Sequence, residues 1–165
     1  MQIRTLDSHD AALYRNLRLQ GLQAHPEAFS SSYEEEQAYT LDHFESRLRN
    51  PDLYTYGAFF NGQLVGVVTL ILEKKIKLKH RTNIVAMYVD MEQRRQGIGK
   101  MLMLQAINKA KTMDGIERIY LSVISNNEPA QKLYHSLGFE TYGRDRNALK
   151  IGGSYVDDEL MVLFI

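Results

Sequence analysis

The chain has 165 residues, of which 44% are hydrophobic and 24% charged, and its twenty basic residues balance twenty acidic ones. That length fits one domain, 1–165, with a buried core, and zero net charge offers no general attraction to nucleic acid or a membrane surface. The absence of cysteine excludes disulfides, thiolate zinc sites and cysteine nucleophiles. The five histidines are scattered without paired ligand spacing, so no metal site is predicted. The first residues lack the apolar stretch of a signal peptide, and no run reaches the roughly 18 apolar residues of a membrane span. The expected location is cytoplasmic.

In chain order, Gln2–Leu6 alternates like a strand, and Asp7 or Ser8 can cap the helix that follows. Leu13, Leu17 and Leu22 recur there at helical spacing, with Ala12 and Leu19 nearby, and Pro26 marks the end. The polar segment Glu27–Tyr39 leads to a second helix capped by Thr40. Its stripe is Leu41, Phe44 and Leu48, and Pro51 follows its close. Tyr54–Phe60 and Gln63–Lys74 are β-rich runs joined by Asn61-Gly62, two residues that tolerate the positive φ of a tight hairpin.

Thr82–Asp90 reads as another strand, and Gly97 to about Met113 as a helix with Met101, Leu102, Ala106 and Ala110 at near-helical spacing. Ile116–Ser125 is a further strand. Asn126 or Asn127 caps a short helix that tolerates Pro129 in its first turn and ends at Gly138. Phe139–Gly143 and Tyr155–Phe164 read as the final strands. The order is β-α-α-β-β-β-α-β-α-β-β, an α/β mixed sheet with helices packed on it.

The turn Arg94-Arg95-Gln96-Gly97-Ile98-Gly99-Lys100 lies between a strand and a helix start. Amides at such a start have no internal partners, and the helix dipole presents partial positive charge there. Gly97 and Gly99 lack the Cβ atoms that would hold a phosphate off the backbone. Three cations crowd an end where the dipole disfavours them, which makes sense if an anion occupies the turn. The dinucleotide fingerprint fails because Leu102 stands at its third glycine, and the P-loop fails because Arg94 replaces its first. Taken alone, the segment reads either as this anion site or as a flexible turn with solvated arginines.

Arg94-Arg95-Gln96-Gly97-Ile98-Gly99 resembles the acetyl-CoA signature R/Q-x-x-G-x-G/A of the GNAT superfamily of N-acetyltransferases. Downstream, Leu121–Val123, Asn126–Ala130 and Leu133–Phe139 are similar to its second motif, in the same order and spacing. The resemblance implies a mostly antiparallel sheet splayed at a central parallel pair, with helices on both faces and acetyl-CoA in the gap. The cofactor contacts it implies are Met87, Tyr88 and Val89 for the pantetheine arm, Arg94, Arg95, Gln96, Gly97, Ile98, Gly99 and Lys100 for the pyrophosphate, and Asn127 and Ala130 downstream. Tyr134 matches the family's general acid, a phenol of pKa about 10 that can protonate a departing thiolate. Otherwise it is an amphipathic helix residue covering the core.

Some family members carry a glutamate as general base at the position of Ser122, and others one near Asn83; both sites lack a carboxylate here. Glu34, Glu35 and Asp145 are candidates for that role. Tyr33 and Glu34 are assigned to the acceptor site. The Glu34–Glu36 run either sets negative charge near a cationic amine or is a polar loop or helix start. Asp157-Asp158-Glu159 is read as solvated strand edge, because adjacent strand residues face opposite ways.

The resemblance implies direct acetyl transfer to a primary amine, since without cysteine there is no acetyl-cysteine intermediate. The expected acceptor is a small amine or amino compound. A protein N-terminus or lysine is the alternative, as is a catalytically silent acyl-CoA-binding module or a site for another phosphate ligand. A homodimer through the closing strands is compatible with the sequence.

Overall fold

The computed structural model describes residues 1–165. Strand β1 (Gln2–Thr5) gives way at Asp7, whose side chain accepts the His9 amide while the Asp10 carboxylate returns to the Asp7 amide at 3.0 Å. That reciprocal pair satisfies donors the first turn leaves free. Helix α1 (Ala11–Ala24) follows and buries Tyr14, Leu17, Arg18, Gly21 and Leu22. Leu13, predicted on the inner face, faces solvent, because Tyr14 turns inward to meet Phe44 edge-on at 6.0 Å.

The predicted polar segment 27–39 holds a further helix, α2 (Tyr33–Gln37), absent from the predicted order. Ser32 accepts the Glu35 amide and the Glu35 side chain accepts the Ser32 amide, a capping box written in the sequence as Ser-x-x-Glu. Helix α3 (Leu41–Arg49) is capped by Thr40, as predicted. Phe44 is fully buried, and Leu48 packs beside it while Leu41 stays exposed.

Strands β2 (Leu53–Phe60) and β3 (Gln63–Leu72) turn at Asn61-Gly62, both at positive φ. Then come β4 (Arg81–Val89), α4 (Ile98–Lys111), β5 (Arg118–Ile124), α5 (Glu128–Ser136), β6 (Glu140–Ile151) and β7 (Ser154–Phe164). The seven strands form one sheet in the order β1-β2-β3-β4-β5-β7-β6. Every neighbouring pair is antiparallel except β4 and β5, which run parallel for three residue pairs, from Arg81↔Arg118 to Asn83↔Tyr120. One core, with Leu102, Met103, Phe139 and Met161, lies under α4 and α5, and a second, with Tyr14, Phe44 and Tyr88, under α1 and α3. The sheet is therefore covered on both faces, in the GNAT arrangement.

The parallel pair parts because β4 bends. Between Tyr88, opposite Val67, and Val85, opposite Thr69, β4 inserts two residues against one of β3. Such a bulge kinks the strand that carries it. Its first residue, Ala86, has φ +55, a left-handed conformation that costs a non-glycine roughly 1–2 kcal/mol.

The C-terminal strands exceed the predicted ones. β6 runs twelve residues where only Phe139–Gly143 was predicted, and it folds back at Gly152-Gly153 onto β7. Most of β6 is exposed, so it has no apolar alternation for a pattern to detect. β7 lies between β5 and β6, so Asp157–Glu159 is not at an edge. No helix is long and apolar enough to cross a membrane.

Candidate active site at the parting of β4 and β5

Where the two strands separate, a cavity of about 600 Å³ opens, lined by Ile84–Met87 of β4 and Tyr120–Ile124 of β5. Beyond Asn83 and Tyr120 their facing edges have no ladder partners. Such edges offer amides and carbonyls to an extended group lying between them. Tyr134 and Asn127 line the cavity from the α5 side. Its lining also includes Ser30, Ser31, Arg18 and Arg47, and Tyr142, Leu149, Asp158 and Leu160 of the β6–β7 hairpin. The turn Pro26–Ala28 approaches both β5 and β6 and, through Glu27 and Ala28, forms a partial roof over the cavity.

The turn 94–100 leads from β4 into α4. Gly97 caps α4 at φ +77, and no side chain supplies a cap bond. The first intrahelical bond runs from the Met101 amide to the Gly97 carbonyl, which leaves the amides of Ile98, Gly99 and Lys100 for a ligand. A Cβ at Gly97 would meet nothing within 4 Å, so what that glycine supplies is its backbone conformation. Gly99 acts differently from expectation: a Cβ there would come within 3.0 Å of Met87 Cε, so it lets α4 settle on β4. Arg95 and Lys100 are exposed and make no ion pair. Free amides, a dipole end and unpaired cations fit the pyrophosphate of acetyl-CoA.

The remaining assigned contacts divide by what they already hold. Met87 lines the cavity. Tyr88 points to the other face, where it packs near Phe29 and His25. The Val89 carbonyl accepts Arg94 Nε at 3.1 Å, so this arginine braces the end of β4. Gln96 bonds Gln93. The Asn127 side-chain oxygen accepts the Ala130 amide at 3.2 Å, which caps α5 and occupies the one polar group that Ala130 could offer from its amide. Tyr134 is 7% exposed, and burial pushes its phenol up to about 12.

Neither Tyr33 nor Glu34 lines this cavity. Tyr33 packs against the second core and Glu34 faces solvent. Glu35 is spent on the capping box, and Glu36 is buried in an ion pair with Arg18, with a shortest contact of 2.6 Å. The acidic run is thus a helix start with one inward ion-pairing residue. Asp145 is exposed on β6.

The polar residue that sequence reasoning passed over is Asp158. Its neighbours Asp157 and Glu159 face the other way, towards Arg144, whereas Asp158 is half-buried and lines the cavity. The available signal was the alternation itself: of three consecutive acids in a strand, the middle one takes the opposite face. Arg47 was also missed; it lines the cavity and makes no ion pair.

A splayed strand pair beside a helix start with free amides suits an elongated, phosphorylated acyl donor, the arrangement of an acyltransferase. Residues 19–139 match the model of the acetyltransferase (GNAT) family, and the chain belongs to that family. Its acetyl donor is acetyl-CoA. Over 138 residues the chain is 27% identical to the L-amino acid N-acetyltransferase AaaT of Escherichia coli, covering 82% of this chain and 83% of that one. The structure of the ribosomal-protein-alanine N-acetyltransferase from Brucella melitensis superposes with a TM-score of 0.87 at 20% identity over all of both chains. That of yncA from Salmonella typhimurium, solved with its cofactor acetyl-CoA, superposes at 0.81 and 20% identity over 99% of this chain and 93% of that one.

Proposed function

We propose that this acetyltransferase moves acetyl from acetyl-CoA to the primary amine of a small amino compound. The observation that carries the reading is the roof over the acceptor end, where the Pro26–Ala28 turn reaches β5 and β6. A polypeptide acceptor needs an open groove along which an extended chain can lie. A roofed cavity of this size suits a small molecule. Arg47, without an ion-pair partner, is available to an anionic group on that molecule, such as an amino acid's carboxylate. The name of the Escherichia coli relative, an L-amino acid N-acetyltransferase, supports the same class.

In this reading the first-turn amides of α4, with Arg95 and Lys100, hold the pyrophosphate, and the unpaired edges of β4 and β5 hold the pantetheine arm. Bound acetyl-CoA supplies an activated thioester carbonyl. Tyr134 protonates the departing sulfur; the burial that raises its phenol also raises a thiolate formed beside it, so the transfer is not placed out of reach. The test is release of CoA thiol with a panel of amino acids, polyamines, aminoglycosides and short peptides, with product masses recorded. Turnover confined to small amines supports the reading. Preference for peptides, or tight acetyl-CoA binding without turnover, overturns it.

A further inference from the structure

We infer that Asp158 is the proton acceptor for the attacking amine, held in the cavity by the meeting of β5, β6 and β7. The inference rests on the small-amine reading above and names the base that reading lacks. In register, Asp158 lies opposite Ile124 of β5 and Asp145 of β6. Directly opposed residues in a sheet share a face, and Ile124 lines the same cavity as Asp158. Asp158 Oδ1 is shielded from solvent and has no hydrogen-bond partner in the protein. A buried acceptor left empty is destabilising, and a bound ammonium or a relaying water would remove that cost.

The surroundings favour a carboxylate that takes up protons readily. Burial raises the Asp158 pKa and the charge of Asp145 adds to that, while a hydrogen bond from the Ser122 hydroxyl on β5 to the carboxyl pulls it partly back. The other charges lining the cavity are Glu27 from the roof turn, Arg47 from α3, and Arg18 from α1, which is committed to Glu36. A rival exists in Glu73, which accepts Asn83 Nδ2 at 3.0 Å. Unlike Asp158, it does not line the cavity.

The nitrogen–carbon bond forms at the acetyl carbonyl carbon, the carbon–sulfur bond breaks, and its electron pair leaves on sulfur. Of the two protons that the ammonium nitrogen loses, one passes to Asp158, directly or through one water, and on to solvent. The second makes good the proton that Tyr134 gives to the sulfur.

The test compares wild type with Asp158→Asn, Asp158→Glu and Glu73→Gln. On kcat/KM for the best small amine from pH 5 to 10, Asp158→Asn is expected to lose about 10²–10⁴-fold. Glu is expected to restore part of the rate, and Glu73→Gln to match wild type. The KM for acetyl-CoA should stay within about twofold, because Asp158 touches the acceptor end. A readout independent of turnover is thermal melting. A carboxyl whose folded pKa is raised loses stability as pH climbs through that value, so the neutral Asn variant should melt no lower than wild type at pH 8. An Asp158→Asn enzyme within threefold of wild type at every pH, or one that melts several degrees lower, overturns the inference while the function stands. A wild type that acetylates no small amine overturns the function, and this inference with it.

Discussion

Arg18 on α1 and Glu36 on α2 form a bidentate ion pair in which Arg18 Nε and a terminal nitrogen of the same guanidinium both reach the carboxylate, with Arg18 on the wall of the cavity between β4 and β5. The two side chains are 6% and 2% exposed, and the guanidinium also lies 4.6 Å over the Phe29 ring. Burial opposes ionisation of Glu36, but the hydrogen bond and charge of Arg18 outweigh it, so the carboxyl sits below its usual value. Glu36→Ala is therefore expected to destabilise the protein by about 3–5 kcal/mol, because it strands a buried guanidinium. Urea denaturation measures this. The sign with pH follows from the lowered pKa: the pair's contribution is complete above about pH 4.3 and fades as pH falls through the lower folded value.

Arg4 and Asp10 tie β1 to the start of α1 by two short contacts, 2.6 and 2.7 Å. The Arg4 hydrogen bond holds the Asp10 carboxyl below its usual range. Arg4 is more than a third exposed, so solvent weakens the pair. Asp10→Asn should cost about 1 kcal/mol at pH 7 and progressively less as acid protonates the wild-type residue. Parallel melts at pH 7 and pH 3 check it; an equal loss at both would refute the electrostatic origin.

Tyr134 offers a cleaner functional substitution. Tyr134→Phe keeps the buried ring and removes only the hydroxyl, so the melting point should move little. Turnover should fall by about 10²–10⁴-fold if the phenol is the acid. With its pKa at about 12, wild type should show no basic limb from this group below about pH 11. A Phe variant with near wild-type kcat across the pH range would remove Tyr134 from the chemistry.

Lys100 separates ligand binding from folding by sign. It stands in the first turn of α4, where the dipole disfavours a cation. Lys100→Glu should stabilise the free protein by about 0.3–1 kcal/mol and weaken acetyl-CoA binding. Thermal melting and calorimetric titration at low and high salt read the two effects. Unchanged affinity would place the pyrophosphate elsewhere.

The parts of this molecule that were legible in the sequence are those written in local chemistry. Asn61-Gly62, Thr40 and the turn at Gly97 announce themselves because each demands a particular backbone or cap. The inferred order of elements holds apart from α2, and the GNAT fold follows from it. What escaped depends on partners distant in the chain. β6 is a strand because β7 pairs with it, despite its exposed, charged surface. Tyr33 and Glu34 were assigned to the acceptor site, but the cap at Ser32 turns them away from the cavity. Asp158 is indistinguishable from Asp157 in composition, and only the sheet decides which of them faces the cleft. The bulge at Ala86, which opens the parallel pair, left no mark in the sequence, since alanine is an unlikely choice for positive φ.

The most direct test of the account is a crystal structure with a non-hydrolysable acetyl-CoA analogue and the best small amine from the panel. The pyrophosphate should lie on the amides of Ile98–Lys100 and the thioester mimic between Val85–Met87 and Leu121–Val123. The amine should lie within hydrogen-bonding reach of Asp158, directly or through one water. A pyrophosphate bound away from the α4 start, or an amine seated outside the roofed cavity, would contradict it.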